Sequence, residues 1–332
     1  MQESFKDVRA VIGQCVEQCR GDCRLDNSCD VDILRDEPMS AHTTFKVGGP
    51  ADFYIRPKDC CFPRFCSFLL SLARAEKIPV FILGGGANIV VSDRGVRGIV
   101  LDTGGWNGGS VTEDGLVFKS GTSIDEAAEF AASRALCGLE FLAGMPGSIG
   151  GAVWMNARCY GSEIADVLSW TEIIDNEQMT DNGEPVIKRI ATGQGEGNGF
   201  GYKRSPFQGK DALILCACFK LKPGDENEIR SQMEKNRRDR QEKGHYRFPC
   251  AGSAFKNNHA FGKPTGQIID ELGLRGFQIG GAQVAPFHGN IVINAGNATA
   301  KDIRALMDEV AEKVKAATGF VLEPEILFAG DW

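Results

Sequence analysis

Three short stretches set the terms for any fold this chain can adopt: Gly84-Gly-Gly-Ala-Asn88, Ser120-Gly-Thr122 and Gly144-Met-Pro-Gly-Ser-Ile-Gly-Gly151. Glycine has no Cβ, so such runs weaken any helix or strand but let backbone approach backbone, or a ligand, very closely. One loop of this kind is most simply a tight turn. Three together form clustered N–H groups that can hold an anion without a lysine, and a dinucleotide is the natural occupant. Two familiar nucleotide sites are ruled out. No Gly-x-x-x-x-Gly-Lys-[Ser/Thr] is present, and Ile89 stands where the Gly84 loop would need its third Rossmann glycine.

Around these loops the apolar pattern alternates between strand and helix. Pro79-Val-Phe-Ile-Leu83 reads as a strand that enters the first loop and leaves through Ile89-Val-Val91, and Asp52 to Ile55 reads as another. A helical stretch is expected near Cys60–Lys77. Ser123-Ile-Asp-Glu126 has capping-box spacing, with Ile124, Ala127, Ala128, Ala131 and Ala135 on one face and Gly138 as the stop. Thr299-Ala-Lys-Asp302 opens a further helix, with Ile303, Leu306, Met307, Val310 and Val314 as its buried stripe and Gly319 at its end. Phe320 to Phe328 is expected to be a closing strand. The alternating glycines of 193–201 suit a loop or hinge. Without strict strand–helix alternation, the pattern predicts an α+β fold rather than a doubly wound sheet.

At 332 residues the chain exceeds the roughly 250–300 beyond which one core gives way to several, so two or three domains are expected. Acids and bases occupy the start, where a signal peptide would need a basic and then an apolar region, and no run of about 18 apolar residues follows. A cytoplasmic chain with no membrane segment is the expectation. Net charge −7 argues against a nucleic-acid surface, which would show as a basic face. The twelve cysteines contain no Cys-x-x-Cys pair and read as reduced thiols. Cys15, Cys19 and Cys23 recur every four residues, with Cys29 beyond, which makes a small apolar helix face packed on the body; no metal is expected.

Four phrases taken in order resemble one family: His42-Thr-Thr-Phe-Lys-Val-Gly-Gly-Pro-Ala51, Gly84 to Asp93, Gly138 to Gly147, and Ala251-Gly-Ser-Ala-Phe-Lys-Asn257. With Ile279-Gly-Gly-Ala-Gln283 and Leu322-Glu-Pro-Glu325 in the family's order, residues 38–330 are similar to the UDP-N-acetylenolpyruvoylglucosamine reductase (MurB) family. The spacing after Tyr202 is similar to its shorter, type II branch. The resemblance implies three domains, with non-covalent FAD between the first two in a fold shared with the vanillyl-alcohol-oxidase (PCMH) type of flavoenzyme. A C-terminal α+β domain would bind substrate. On this reading 1–37 is a helical extension, 38–101 with the tail 323–332 the first FAD subdomain, 102–222 the second, and 223–322 the substrate domain.

The same resemblance implies that NADPH reduces the flavin, NADP leaves, and an enolpyruvyl UDP-sugar then takes hydride from flavin N5, in peptidoglycan precursor synthesis. NADPH and the sugar are the expected partners, and the chain a monomer or weak oligomer. FAD contacts would fall on Gly84, Gly85, Gly86, Ala87, Asn88, Ser120, Gly121, Gly144, Pro146, Gly147, Ser148, Gly150, Gly151 and Ala157. Ser253 matches the proton donor and Glu325 the catalytic carboxylate; each could otherwise be an ordinary loop hydroxyl or strand-edge acid. Where the family has Tyr-Arg-x-Ser, this chain has Tyr202-Lys203-Arg204-Ser205, so the enolate-stabilising cation is Lys203 or Arg204. Lysine keeps the charge but loses the bidentate fork. Lys203 is favoured, because neighbours on an extended segment point to opposite faces and Tyr202 and Ser205 keep the register.

For the sugar and diphosphate the candidates are Tyr202, Lys256, Asn257, His288 and, from the run Arg237-Arg-Asp-Arg-Gln-Glu-Lys243, Arg238 and Lys243. That run is also what a solvated helix face looks like. Arg158 and Cys159 stand where the family has small residues, and Arg158 could meet a phosphate or solvent. Two rivals share the glycine loops: another flavin oxidoreductase of this fold, and a non-catalytic flavin or UDP-sugar binder.

Overall fold

The computed structural model describes residues 2–22, 30–59, 61–180, 185–192 and 199–332, and the side chains of these except 2–7 and 21–22. Cys23, Cys29, Cys60 and most of the alternating-glycine stretch lie outside the described residues. The chain divides into two compact units, one of residues 1–35, 52–85 and 98–236, the other of 36–51, 86–97 and 237–332.

The first unit holds two apolar cores. One lies under a four-stranded sheet in the order Val31–Pro38, Pro50–Pro57, Val96–Asp102, Val80–Leu83, the last two parallel with Val80 opposite Ile99. Helix Phe62–Ala75 buries Phe62, Phe65, Leu69 and Ala73, and Phe62, Phe65 and Leu69 join that core. Burying side chains of this size stabilises by about 1.5–3 kcal/mol each. Helix Gln2–Asp22 adds Val8, Val11, Ile12, Cys15 and Cys19, one face at helical spacing. Both cysteines are fully buried, as the four-residue repeat predicts. The second core lies under a five-stranded antiparallel sheet in the order Pro185–Ala191, Leu168–Met179, Ala212–Phe219, Gly115–Lys119, Gly109–Thr112. Helix Ile124–Ala132 packs there through Ile124, Ala127, Ala128 and Ala131, and its capping box at Ser123 and Glu126 is complete.

That helix is shorter than its alanine stripe suggests. Ser133 caps it, Ala135 turns to φ +53°, and Leu136–Cys137 pairs with Lys222–Pro223. The strand pairing draws the chain away before Gly138, so Gly138 is not the stop.

In the second unit a four-stranded antiparallel sheet runs Cys250–Ser253, Ile291–Asn294, Ala282–Val284, Gln278–Ile279. Helix Ala300–Thr318 shares its core through Ile303, Leu306, Met307, Val310 and Val314, with the capping box at Thr299 and Asp302 and left-handed Gly319 at its end. Phe45, Val47 and Val90 belong to the same core, which is why 38–51 and 86–97, grouped by sequence with the first flavin subdomain, are compact with the C-terminal residues. The expected strand Phe320–Phe328 is a strand only at Leu327–Ala329, parallel to Ile89–Val91. Pro324, which has no N–H, makes a single bridge to Phe255 and cannot carry a ladder. Helix Glu226–Glu242 runs through the boundary between the units. No helix among the described residues is long and apolar enough to cross a membrane.

Candidate active site

In the first unit the glycine loops meet. Ile149 N–H donates to Thr122 O at 2.8 Å, Gly150 N–H to Ser120 O at 2.8 Å, and Ile124 N–H to Gly147 O at 3.2 Å. A Cβ added at Gly85 would lie 2.7 Å from Gly147 Cα, one at Gly84 2.6 Å from Ser148 Oγ, and one at Gly150 2.9 Å from Ser120 Cβ. Nothing larger than glycine lets these loops touch. Ser148 Oγ accepts from Gly151 N–H at 3.4 Å and opens helix Ile149–Met155.

These residues fit a bound dinucleotide. The Ser120 hydroxyl oxygen is buried with no hydrogen-bond partner among the described residues, which costs about 1–3 kcal/mol unless a ligand supplies one. Among the same residues the Gly84 and Gly85 amides meet no backbone acceptor. Pro146 is exposed on the third loop beside Gly144 and Gly147. Ala157 is buried, with its N–H on Ala152 O and its carbonyl taking the Ile164 N–H, a structural role behind the helix end.

One support was invisible in the sequence. Asp102, at the end of strand Val96–Asp102, accepts from Tyr54 Oη, from Arg56 Nε at 2.7 Å and from Gly104 N–H at 2.7 Å. Burial and the Asp102 carboxylate push the Tyr54 phenol pKa up, so it stays a donor. The cluster holds the turn that carries Thr103, against which Gly121 packs. Its members are separated by 46 and 48 positions, so no local pattern marks them.

The Tyr202–Arg204 segment is not extended. Gly201 and Arg204 exchange both backbone hydrogen bonds at 3.0 Å, making a tight turn with Lys203 at φ +56°. The opposite-faces argument for Lys203 therefore fails. Burial still distinguishes the two cations, because Lys203 is half-buried and Arg204 exposed. The turn is held by Asn156 Nδ2 on Gly201 O at 2.9 Å and by Gln208 Nε2 on Lys203 O at 3.2 Å. Ser205 Oγ ties its end to Trp154 O at 2.7 Å. Arg158 lies 5.9 Å from the centre of the exposed Tyr202 ring, with Glu163 at 3.8 Å.

The second unit brings the end of the Ser253 strand and the irregular segment of Glu325 alongside each other. Glu325 N–H donates to Ala254 O at 2.8 Å and Lys256 N–H to Glu323 O at 2.9 Å, so Glu325 lies opposite the residue after Ser253. Glu325 is buried, at 8% exposure, and Ser253 half-buried. Asn88 Nδ2 donates to Glu325 O at 3.1 Å, so this expected flavin residue also anchors the closing segment. Gly86 O accepts from Thr44 N–H at 3.1 Å, and Ala87 follows it in the same unit. Asn290, overlooked in the sequence, is 3% exposed and bonds both backbone groups of Phe255.

Of the substrate candidates here, Lys256 pairs with Glu323, and Asn257 Oδ1 accepts from Thr265 N–H at 2.9 Å. Arg238 is exposed, and Lys243, also exposed, pairs with Asp239 at 2.8 Å. The buried member of the basic run is Arg240, a residue that sequence spacing did not single out. The His245 and His288 rings lie tilted at 48° to each other with centres 6.5 Å apart. Burial, then Arg240, His288 and Lys243, push His245 down to about 4 against the opposing Asp239, and burial with Arg275 and Lys243 lowers His288. Both imidazoles are neutral at pH 7. The unfolded chain takes up a proton at His245 near pH 6.5, whereas the folded chain waits until about 4. The stability contributed by the neutral ring is thus complete above about pH 6.5 and is lost as pH falls toward 4. Denaturant melts of His245→Gln should show a flatter loss of stability across that window than the parent; an unchanged slope refutes the assignment. Among the described residues no group of three His, Cys, Asp or Glu is arranged to hold a metal.

Comparison with known proteins matches both halves of this arrangement. A family model described as FAD binding domain covers residues 66–179, and one described as UDP-N-acetylenolpyruvoylglucosamine reductase, C-terminal domain, covers 244–329. A Borreliella burgdorferi protein named UDP-N-acetylenolpyruvoylglucosamine reductase is 41% identical over 88% of this chain and 93% of its own length. A Treponema pallidum protein of the same name is 40% identical over 90% and 93%. The crystal structure of UDP-N-acetylenolpyruvylglucosamine reductase from Thermus caldophilus superposes with TM-score 0.71 at 30% identity, covering 91% of this chain and all of that one. The expected fold is borne out: a mixed α and β chain with an FAD-binding part followed by that C-terminal domain.

Proposed function

The chain belongs to the UDP-N-acetylenolpyruvoylglucosamine reductase family, and on that premise we propose that it reduces the enolpyruvyl group of UDP-N-acetylglucosamine enolpyruvate to UDP-N-acetylmuramate. NADPH is the electron donor, the product is a peptidoglycan precursor, and the cytoplasm is the compartment. The loops of Gly84, Ser120 and Gly147 would hold FAD, which when bound would supply a hydride donor to the substrate. The observation that carries the reading is the pairing of Ala254–Lys256 with Glu323–Glu325, which brings the segment that follows Ser253 and the segment of the buried Glu325 together from distant parts of the sequence.

The chain's own residues do the rest. Hydride arrival at the methylene carbon leaves negative charge on the neighbouring carbon and its carboxylate, and a fixed cation lowers the cost of that charge. Lys203 supplies it, as a point charge presented by a rigid turn. Ser253 Oγ gives a proton to the adjacent carbon. A serine hydroxyl is a weak acid, so the cation assists it by stabilising the oxyanion left as the proton departs, and a proton relayed from solvent through Glu325 restores the hydroxyl. Arg240 and Lys243, beside two uncharged imidazoles, favour the substrate diphosphate.

A stopped-flow spectrum tests the whole cycle. Yellow holoenzyme should bleach with NADPH without oxygen and recolour on adding the enolpyruvyl UDP-sugar. Recolouring by oxygen alone would instead mark an oxidase of the same fold, and failure to bleach a mere binder.

A further inference from the structure

The strand that carries Ser253 is irregular just where the hydroxyl sits. Gly252 has φ +73°, and the pairing of Cys250–Ser253 with Ile291–Asn294 shifts register between Cys250 and Ser253. A bulge of this kind re-aims a side chain but loosens the ladder around it. Beyond it, regular pairing with the Ile291 strand ends, because the neighbouring chain turns away at His288, Gly289 and Asn290.

Asn290 takes over at this point. Its main-chain carbonyl accepts the Ala254 N–H at 2.8 Å. Its side chain then does for Phe255 what a paired strand would do: Oδ1 accepts the Phe255 N–H at 2.9 Å and Nδ2 donates to the Phe255 carbonyl at 2.7 Å. On the other edge of the same segment stand Glu323 and Glu325. The two residues after Ser253 are therefore gripped from both sides, on one side by Asn290. Phe255 is 2% exposed, so water cannot replace these bonds, and losing them leaves two buried backbone groups unsatisfied. A primary amide suits this double bond, because its oxygen accepts and its NH2 donates from two separate atoms. Asn290 is held in turn through its own N–H, which donates to His288 Nδ1 at 3.1 Å. Burial keeps that imidazole neutral and its Nδ1 able to accept.

We propose that Asn290 is a positioning residue for the reaction, holding the Ser253 loop so that the hydroxyl is aimed at the carbon it protonates. The inference rests on the reading of Ser253 as proton donor. It goes beyond that reading in assigning the aim of the hydroxyl to a side chain from another strand.

The test compares Asn290→Asp, Ser253→Ala and the double variant as holoenzymes, with NADPH and then the enolpyruvyl UDP-sugar at saturation. Aspartate keeps the shape of asparagine but removes the donor and sets an oxygen against the Phe255 carbonyl. Asn290→Asp should bleach at the parent rate and recolour about 10–100-fold more slowly, the effect of a small misplacement of a reacting group. Because Asn290 acts through Ser253, the double variant should recolour no more slowly than Ser253→Ala alone. A purely structural role would impair bleaching as well, and an independent role would make the two losses multiply; either result overturns the inference, as does parent-rate recolouring by Asn290→Asp. Should Asn290→Asp fail to retain flavin, Asn290→Gln, which keeps both amide groups on a longer arm, is read by the same double-variant comparison. Parent-rate recolouring by Ser253→Ala would sink the donor reading and this inference with it. Slow recolouring there with fast recolouring in Asn290→Asp would sink the inference alone.

Discussion

Ser253→Ala should bleach with NADPH as fast as the parent and recolour with the enolpyruvyl UDP-sugar about 10²–10⁴-fold more slowly, the usual range for loss of a general acid. The asymmetry follows from the order of events. Reduction of the cofactor by NADPH requires no proton from the protein, whereas the second half leaves a carbanion-like centre that must be protonated. The substitution is also structurally mild. Ser253 is half-buried, and among the described residues no hydrogen bond that holds the loop uses its hydroxyl: Ala254, Phe255 and Lys256 are tied through their backbones. A variant that lost both half-reactions equally would show that Ser253 supports the fold or the flavin. One that lost neither would remove the residue from the mechanism.

Gly121→Ala should strip the protein of FAD and destabilise the first unit by about 3 kcal/mol, at the upper end of what overpacking costs. The added Cβ would lie 2.0 Å from Thr103 O and 2.6 Å from Trp106 O. Both obstacles are main-chain atoms and cannot rotate away. The Thr103 turn is itself pinned, by Thr103 Oγ1 donating to Leu83 O at 3.1 Å and by the Asp102 cap on Gly104. Gly121 N–H in turn donates to Trp106 O at 2.8 Å. The loop must therefore move as a whole, taking Ser120 with it. Thermal unfolding should drop by roughly 6–12 °C for a unit of this size. A yellow variant melting within a degree or two of the parent would show that the loops tolerate more than this geometry allows.

Local chemistry was legible wherever a few consecutive residues decide the outcome. The capping boxes at Ser123 and Thr299, left-handed Gly319, and the shared face of Cys15 and Cys19 all depend on spacings within one or two helical turns. Elements failed to match where a distant partner intervened. The alanine stripe continues to Ala135, yet pairing of Leu136–Cys137 with Lys222–Pro223 ends the helix earlier. Phe320 to Phe328 reads as a strand from its apolar residues, but among the described residues its strand pairing is limited to a bridge at Pro324 and the short Ile89–Val91 strand. At Lys203 the residue order suggested an extended segment, while Asn156 and Gln208 hold a turn.

The sequence by itself determined the class of the molecule and the identity of its chemistry. Glycine-rich loops between apolar runs admit few folds, and six ordered phrases, with Ser253 and Glu325 inside two of them, specify a reductase family. Tertiary structure alone decided which groups support them. The Asp102 cluster at the turn that carries Thr103, the burial of Arg240, and the Asn290 amide on the backbone of Phe255 are products of packing. Each joins residues whose proximity depends on how strands and loops meet, and no spacing along the chain records such a meeting.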